Sequence, residues 1–453
     1  LTSKVGGQVV SGQGGRFFSR PGRFIISCYV LILTPSTLFV MTDTASKTGL
    51  GWIDALFMST SALTVTGLGV VNNAEHFTIL GHLWMLLLMQ LGGLGQMTIS
   101  MLILILFGHR ISMREQAIVR EELNQPPLTD VKSLIKAIVT FACVMELIGT
   151  VILALVWVPE YGIEKGVWYA FFHAISAFNN AGFSLFSNSM ENYAGSFTVE
   201  LTLALLFIIG GLGFTVILDI LSYLGPKRNW RLSLHSKLVL RTSVILLLFG
   251  TFSLYFLEYK NPDTLQSLGG LRGLLNAFFL SATTRTAGFN SIDLMAMTHA
   301  SLLIMMVLMF IGAGSSSTGG GIKVSTFATG VIATKAFLRG SRTFCAFNRN
   351  IEESVVIKAL AIMVVSGILL FFASLALMIS ENARFDIVLF ETISAFGTVG
   401  LTIGLTENLT DFGKIVLVFV MIVGRLGPLT LAYALISSKP SNIRYAKENV
   451  ITG

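Results

Sequence analysis

Four short segments of this chain repeat one another, and no other feature limits its fold as much. Ala55-Leu56-Phe57-Met58-Ser59-Thr60-Ser61-Ala62 leads into Thr64-Val65-Thr66-Gly67-Leu68. Ala170-Phe171-Phe172-His173-Ala174-Ile175-Ser176-Ala177 leads into Asn180-Ala181-Gly182-Phe183, and Ala277-Phe278-Phe279-Leu280-Ser281-Ala282 into Thr286-Ala287-Gly288-Phe289. The last copy, Val388-Leu389-Phe390-Glu391-Thr392-Ile393-Ser394-Ala395, leads into Thr398-Val399-Gly400-Leu401. One copy alone would carry no weight. Four at a nearly constant period mean that one unit is built four times over.

An apolar run precedes each copy, over residues 24–42, 134–158, 238–258 and 354–379. Another follows, over 77–107, 197–224, 300–338 and 413–437. Runs of this kind reach the roughly 20 residues that cross a hydrocarbon core. Composition agrees: 53% of the residues are hydrophobic and only 12% charged, about half the charge a soluble domain carries. The repeated segments themselves predict helices of about 11–14 residues, too short to span. They read as re-entrant helices that leave as loops, which a membrane tolerates only where protein or a water-filled path satisfies the backbone. The expected fold is an all-α polytopic membrane protein of four pseudo-symmetric helix–pore-helix–helix repeats. Eight spanning helices and four re-entrant pore helices would surround one central pore. The repeats are expected at 24–107, 134–224, 238–338 and 354–437, between a flexible cytoplasmic N-terminus (1–23) and a cytoplasmic tail (438–453).

Lys and Arg set the orientation. They gather in the N-terminal lead and in 108–136, 225–241, 323–358 and 438–453, whereas the other side holds Lys47, Lys165, Lys260, Arg272, Arg384 and Lys414. Both termini are therefore expected in the cytoplasm, with the re-entrant segments entering from outside. No cleavable signal peptide is evident before the first apolar run. Glu75, Glu160, Glu191, Asp263 and Asp411 fall on the outer side, where they could enrich cations at a mouth, although scattered solvated acids are the commoner meaning. A net charge of +7 divided among short loops does not make a nucleic-acid surface. Cys28, Cys143 and Cys345 share no metal-ligand spacing and read as reduced packing residues. The six histidines are scattered, mostly at predicted loop positions, and no H-E-x-x-H occurs, so an enzyme is not expected.

The glycine in each copy suggests a chemistry. A dehydrated potassium ion needs oxygens that replace its water, and rings of backbone carbonyls can supply them. Aiming successive carbonyls at one axis demands unusual backbone angles and close approach, both of which glycine allows. A short helix ending at such a segment also points its negative end at the ion. One copy by itself is better explained as a helix cap; four in matching frames favour a filter. The candidate filter is Thr64, Val65, Thr66 and Gly67, with Asn180, Ala181 and Gly182, Thr286, Ala287 and Gly288, and Thr398, Val399 and Gly400.

Over residues 24–453 the chain resembles the membrane subunits of the Ktr branch of the Trk/Ktr/HKT potassium-transporter superfamily. The resemblance rests on the four filter segments, on Ile175-Ser176-Ala177-Phe178-Asn179-Asn180-Ala181-Gly182-Phe183-Ser184, on Thr284-Arg285-Thr286-Ala287-Gly288-Phe289-Asn290, and on Asn442-Ile443-Arg444-Tyr445. It implies potassium uptake across a bacterial plasma membrane, with K+ held at filter carbonyls. It also implies activation by Na+, a homodimer in the lipid bilayer, and a cytosolic ring of separate nucleotide-binding regulatory subunits that respond to ATP and ADP. Some members carry serine at the first filter glycine and favour sodium; Gly67 here implies potassium. No organic cofactor is expected in this chain.

A second set of glycines follows each filter segment: Gly92-Gly93-Leu94-Gly95, Gly210-Gly211-Leu212-Gly213, Gly312-Ala313-Gly314-Ser315 and Gly424-Arg425-Leu426-Gly427-Pro428. In the first two, close helix packing is the simpler reading. The third continues as Ser316, Ser317, Thr318, Gly319, Gly320 and Gly321 without a large apolar residue, and is expected to break its helix in mid-membrane. A phosphate loop requires a lysine directly after a correctly placed glycine and a preceding strand, and the sequence has neither here. The family resemblance makes 312–321 an intramembrane gate under the filter. Arg425 is a costly charge at membrane depth, expected to hold the loop closed through carbonyls or hydroxyls of 312–321, or else to tie repeats together. Arg285 is expected to brace its filter segment. The rival reading is an ion-coupled secondary transporter using intramembrane acids, with Glu146 and Asp219, both expected near helix ends, as candidates.

Overall fold

The computed structural model describes residues 21–95, 131–224, 232–341 and 343–428, and helix dominates throughout. The N-terminal lead up to residue 20, most of the loop 108–136 and the tail 438–453 lie outside the described residues. The chain opens with α1 (Pro21–Val40), α2 (Trp52–Leu63) and α3 (Ile79–Gly93). Next come α4 (Val131–Tyr161), α5 (Ile163–Phe178), α6 (Phe197–Leu212) and α7 (Phe214–Leu224). The third run is α8 (Leu234–Glu258), α9 (Gly270–Thr283), α10 (His299–Phe310) and α11 (Val324–Leu338). A small antiparallel hairpin, β1 (Phe344–Ala346) and β2 (Arg349–Ile351), leads to α12 (Glu353–Ser380), α13 (Phe385–Gly397) and α14 (Asp411–Leu426).

Among the described residues, α4, α8 and α12 are each long and apolar enough to cross a membrane. They present large apolar side chains outward, such as Leu155 (73% exposed) and Ile379 (79%), which hydrocarbon can solvate and water cannot. The short helices have the opposite character. Phe57–Leu63, Phe172–Phe178, Phe279–Thr283 and Phe390–Gly397 are buried without interruption. The helices before the glycine segments are short, as the repeated segments predict, although Ile163–Phe178 is longer than expected.

The helices after the glycine segments differ from the expectation. The run 197–224 does not form one span: α6 and α7 meet at a 96° bend. The cause is local. Gly213 adopts φ +96°, and the Phe214 N–H turns out to donate to Ser316 O at 2.8 Å. The run 300–338 is broken as expected, between Phe310 and Val324.

Buried carboxylates fasten one helix to the next. Glu258, the last residue of α8, accepts from Thr298 N (2.9 Å), Thr298 Oγ1 (2.8 Å) and Ser301 Oγ (2.5 Å). Glu381, just after α12, accepts from Thr410 N (3.1 Å) and Thr410 Oγ1 (2.5 Å). Thr298 and Thr410 are the N-caps of α10 and α14, so each carboxylate fixes a threonine whose hydroxyl accepts from Ser301 N or Gly413 N at the helix start. The three cysteines are free, but Cys143 and Cys345 are exposed rather than packed. The histidines also depart from the loop reading: His82 and His173 are buried within α3 and α5.

Candidate functional site

The four glycine segments close into a ring. All four glycines have positive φ: +90° at Gly67, +69° at Gly182, +80° at Gly288 and +90° at Gly400. The residue two places before each, Val65, Asn180, Thr286 or Thr398, is also left-handed. A Cβ on Gly67 would meet Ala181 O at 2.5 Å, and one on Gly182 would meet Ala287 O at 2.9 Å. A Cβ on Gly288 would overlap Val399 O, and one on Gly400 would overlap Thr66 O. Each glycine therefore abuts the carbonyl just before the glycine of the next segment, and the fourth returns to the first. No side chain fits between them.

The amides of these segments face away from the ring. Thr66 N donates to Ser61 O (2.8 Å), Ala181 N to Ser176 O (2.7 Å) and Val399 N to Ser394 O (2.9 Å). In the third segment Ala287 N donates instead to Thr283 O (2.9 Å), one residue nearer its glycine than the acceptors in the other three. The carbonyls of Thr66, Ala181, Ala287 and Val399 accept no hydrogen bond among the described residues. Buried carbonyls are normally paired, so four that accept no bond among the described residues are available as ligands for a bound group. Side chains brace the ring. Thr64 and Thr66 hydroxyls lie 2.7 Å apart. The Asn180 amide is best oriented with its oxygen accepting from Thr286 Oγ1 (2.8 Å) and its nitrogen donating to Ala177 O (3.2 Å) and Phe207 O (3.0 Å).

Below the ring, the second glycine set lets its helices approach the ends of the short helices closely, in keeping with the packing reading of its first two members. Added Cβ atoms on Gly92, Gly210 and Gly424 would strike Leu63 O, Phe178 O and Phe396 O, at the ends of α2, α5 and α13. The third member departs from this rule, since Gly312 faces Gly320 O of its own loop. That loop is stitched to its surroundings. Gly314 N donates to Gly211 O (2.8 Å), Thr318 N to Gly210 O (3.3 Å), Gly320 N to Thr398 Oγ1 (2.9 Å) and Gly321 N to Gly424 O (3.2 Å). Ser315 and Ser325 hydroxyls meet at 2.8 Å. Ser316 is left-handed, and Ser317 Oγ accepts from Gly319 N at 3.3 Å.

Arg425 donates to Thr318 O of this loop, a partner of the expected kind. It also donates to Gly92 O, with Gly93 O at 3.5 Å, so one guanidinium joins α14, the 312–321 loop and the end of α3. Arg285 instead reaches Ser243 of α8, donating to its carbonyl (3.1 Å) and hydroxyl (3.0 Å). It braces the third segment against a neighbouring helix.

A family model described as TrkH, cation transport protein, matches residues 24–445. The chain belongs to that family. It is 51% identical over 95% of its length, and 94% of the relative's, to the Ktr system potassium uptake protein B of Vibrio alginolyticus. It is 42% identical to the Ktr system potassium uptake protein B of Bacillus subtilis, covering 96% of this chain and 97% of that one. A solved structure of the potassium transporter TrkH from Vibrio parahaemolyticus shares the fold, with a TM-score of 0.74, 19% identity, and coverage of 95% of this chain and 86% of that one. The chain is a member of a cation-transporter family, not of an enzyme family.

Several residues of this TrkH-family site were not apparent from the sequence. Lys323 Nζ donates to Gly319 O at 2.6 Å, a second cation on the 312–321 loop. Glu391, fully buried in α13, accepts from Ile403 N (3.2 Å), Leu405 N (3.3 Å), Thr406 Oγ1 (2.7 Å) and Thr402 Oγ1, and so holds the chain after Gly400. His173 stands at the matching place in α5, three residues before the repeat serine, where Nε2 accepts from Leu185 N (3.2 Å) and lies 3.0 Å from Ser184 Oγ. Alignment of Ser176 with Ser394 would have exposed this pair. Glu146 lies within α4, not near its end, where it accepts from Gln90 Nε2 (2.9 Å) and Asn179 Nδ2 (3.2 Å). Asp219 accepts from Ser233 N (2.9 Å), away from the ring.

Proposed function

We propose that this chain takes up potassium through the carbonyl ring, which acts as the selectivity filter of one pore, and that the 312–321 loop is the gate beneath it. The observation that carries the reading is the closed ring. Four units contribute one unpaired carbonyl each, and glycine alone fits between neighbours. Stripping water from K+ requires this kind of oxygen cage. The potassium-uptake names of the Ktr relatives support the choice of ion.

Closure by the loop draws support from its position under Thr286 and Thr398, which added Cβ atoms on Gly319 and Gly320 would strike. Arg425 and Lys323 hold it there through hydrogen bonds to its backbone. Such bonds can be broken and remade without repacking a core. In this reading four helix–pore-helix–helix repeats sit in a bacterial plasma membrane with both termini inside. Two copies pair in the bilayer, Na+ activates, and a cytosolic nucleotide-binding ring regulates. The word "system" in the relatives' names fits a partner subunit. A second reading, ion-coupled transport, is favoured by Glu146, whose partner Asn179 directly precedes filter residue Asn180.

The test is K+ and Na+ flux from vesicles holding the purified protein. Potassium should pass in preference to sodium, and Arg425→Ala or partial deletion of 312–321 should raise the flux. Equal K+ and Na+ flux would remove the filter assignment. Unchanged flux in both gate variants would remove the gate.

A further inference from the structure

We propose that the groove between α11 and α12 binds an anionic phospholipid, with an acyl chain along its floor and the phosphate on Lys335 and Arg339. The groove has a volume of about 650 Å³ and is walled by Phe327, Gly330, Leu338 and Met363. Lys335 and Arg339 stand at one end of it. Lys335 lies in the last turn of α11 and Arg339 is its C-cap residue, and both line the groove. Among the described residues neither pairs with a carboxylate, although Glu352 and Glu353 open α12 nearby in the chain.

Two features favour a lipid over a soluble anion. Phe337 and Leu338 are 82% and 79% exposed beside the two cations. A surface both strongly apolar and cationic suits the level where acyl chains meet phosphates, and basic pockets between membrane helices take anionic headgroups there. A soluble polyanion would engage the cations but leave the groove and both apolar side chains in water. Complementarity with the helix dipole accounts for cations in a last turn; it does not account for the groove. Arg339 adds a planar donor set that matches phosphate in two-point contact.

The site connects to the proposed gate. Phe327 and Gly330 lie within the first two turns of α11, where Val324 N donates to Ala313 O (3.1 Å) and Ser325 meets Ser315 (2.8 Å). A chain lodged against those turns would fix the exit of the loop. This consequence rests on the gate reading, whereas the binding itself does not.

The experiment is native mass spectrometry of the purified full chain, titrated with phosphatidylglycerol or phosphatidylcholine. Phosphatidylglycerol should bind more tightly. The Lys335→Gln/Arg339→Gln double variant should lose about thirtyfold of that preference, from the attraction each basic side chain adds near an anionic headgroup. Thr334→Trp, which fills the groove but keeps both cations, should displace the lipid. Melting temperatures would confirm that each variant is folded. Phosphatidylglycerol binding that survives both variants overturns the proposal. So does displacement by glycerol phosphate, which would mark a soluble-anion site. In vesicles, K+ flux that ignores added phosphatidylglycerol while binding holds would sever the link to the loop.

Discussion

Replacing Gly67 by serine should cost potassium selectivity without unfolding the protein. The new Cβ would lie 2.5 Å from Ala181 O and 3.2 Å from Gly182 Cα, closer to the oxygen than real side-chain carbons come. The Ala181 carbonyl therefore has to retreat by about half an ångström. The 2.7 Å bond from Ala181 N to Ser176 O holds the preceding peptide, so the displacement falls on the 181–182 peptide that carries this carbonyl. Gly67 also sits at φ +90°, where an L-residue costs about 1–2 kcal/mol. A contact between a charge and a polar group contributes about 1.5–3 kcal/mol. Losing about half of one of four such contacts lowers K+ preference by ~0.75–1.5 kcal/mol, or about three- to twelvefold. Reversal potentials in planar bilayers under bi-ionic K+/Na+ conditions measure this ratio directly. Gly67→Ala should behave like Gly67→Ser, because the β-carbon rather than the hydroxyl does the displacing. A folded Gly67→Ser protein with an unchanged K+/Na+ ratio would refute the ring as the selectivity element.

Other outcomes can be checked in the same preparations. Arg425→Gln removes charge-assisted bonds to Thr318 O and Gly92 O, each about 1.5–3 kcal/mol, and single-channel or flux recordings should show at least a tenfold rise in opening. Glu391→Gln places an amide N–H₂ among four donors, so K+ selectivity should fall while the protein stays folded. Trp157→Ala deletes a fully buried ring packed 5.0 Å from His173 and 5.4 Å from Phe186; calorimetry or a thermal melt should show a loss of about 3–5 kcal/mol. Burial, with Asp293 adding to it, raises the Glu191 carboxyl above the ordinary range against the 2.9 Å bond from Asn290 Nδ2. As outer pH falls, Glu191 is protonated before an ordinary glutamate. The loss of its negative charge should reduce K+ entry in mild acid at low salt, and Glu191→Gln should flatten that part of the pH profile.

The sequence alone determined the number of glycine segments, the helix before each one and the break at 312–321. These are local properties: apolar runs of a given length, and glycines where no other residue fits. It also marked Arg425, since an unexplained charge in an apolar run is visible without coordinates. Tertiary structure decided what those parts do to one another. The order of the ring, with Gly400 against Thr66 O, depends on contacts between segments hundreds of residues apart. The same holds for the second partner of Arg425, Gly92 O. The bend at Gly213 is set by the loop it meets, through Phe214 N and Ser316 O, so the apolar run 197–224 could not reveal it. Glu391 and His173 look like unremarkable members of two helices until the chain after each glycine folds back onto them. Hydrophobic period and glycine placement act along the chain and can be read from it. The direction of a carbonyl, and the partner that leaves it free, emerge only when the four units close on each other.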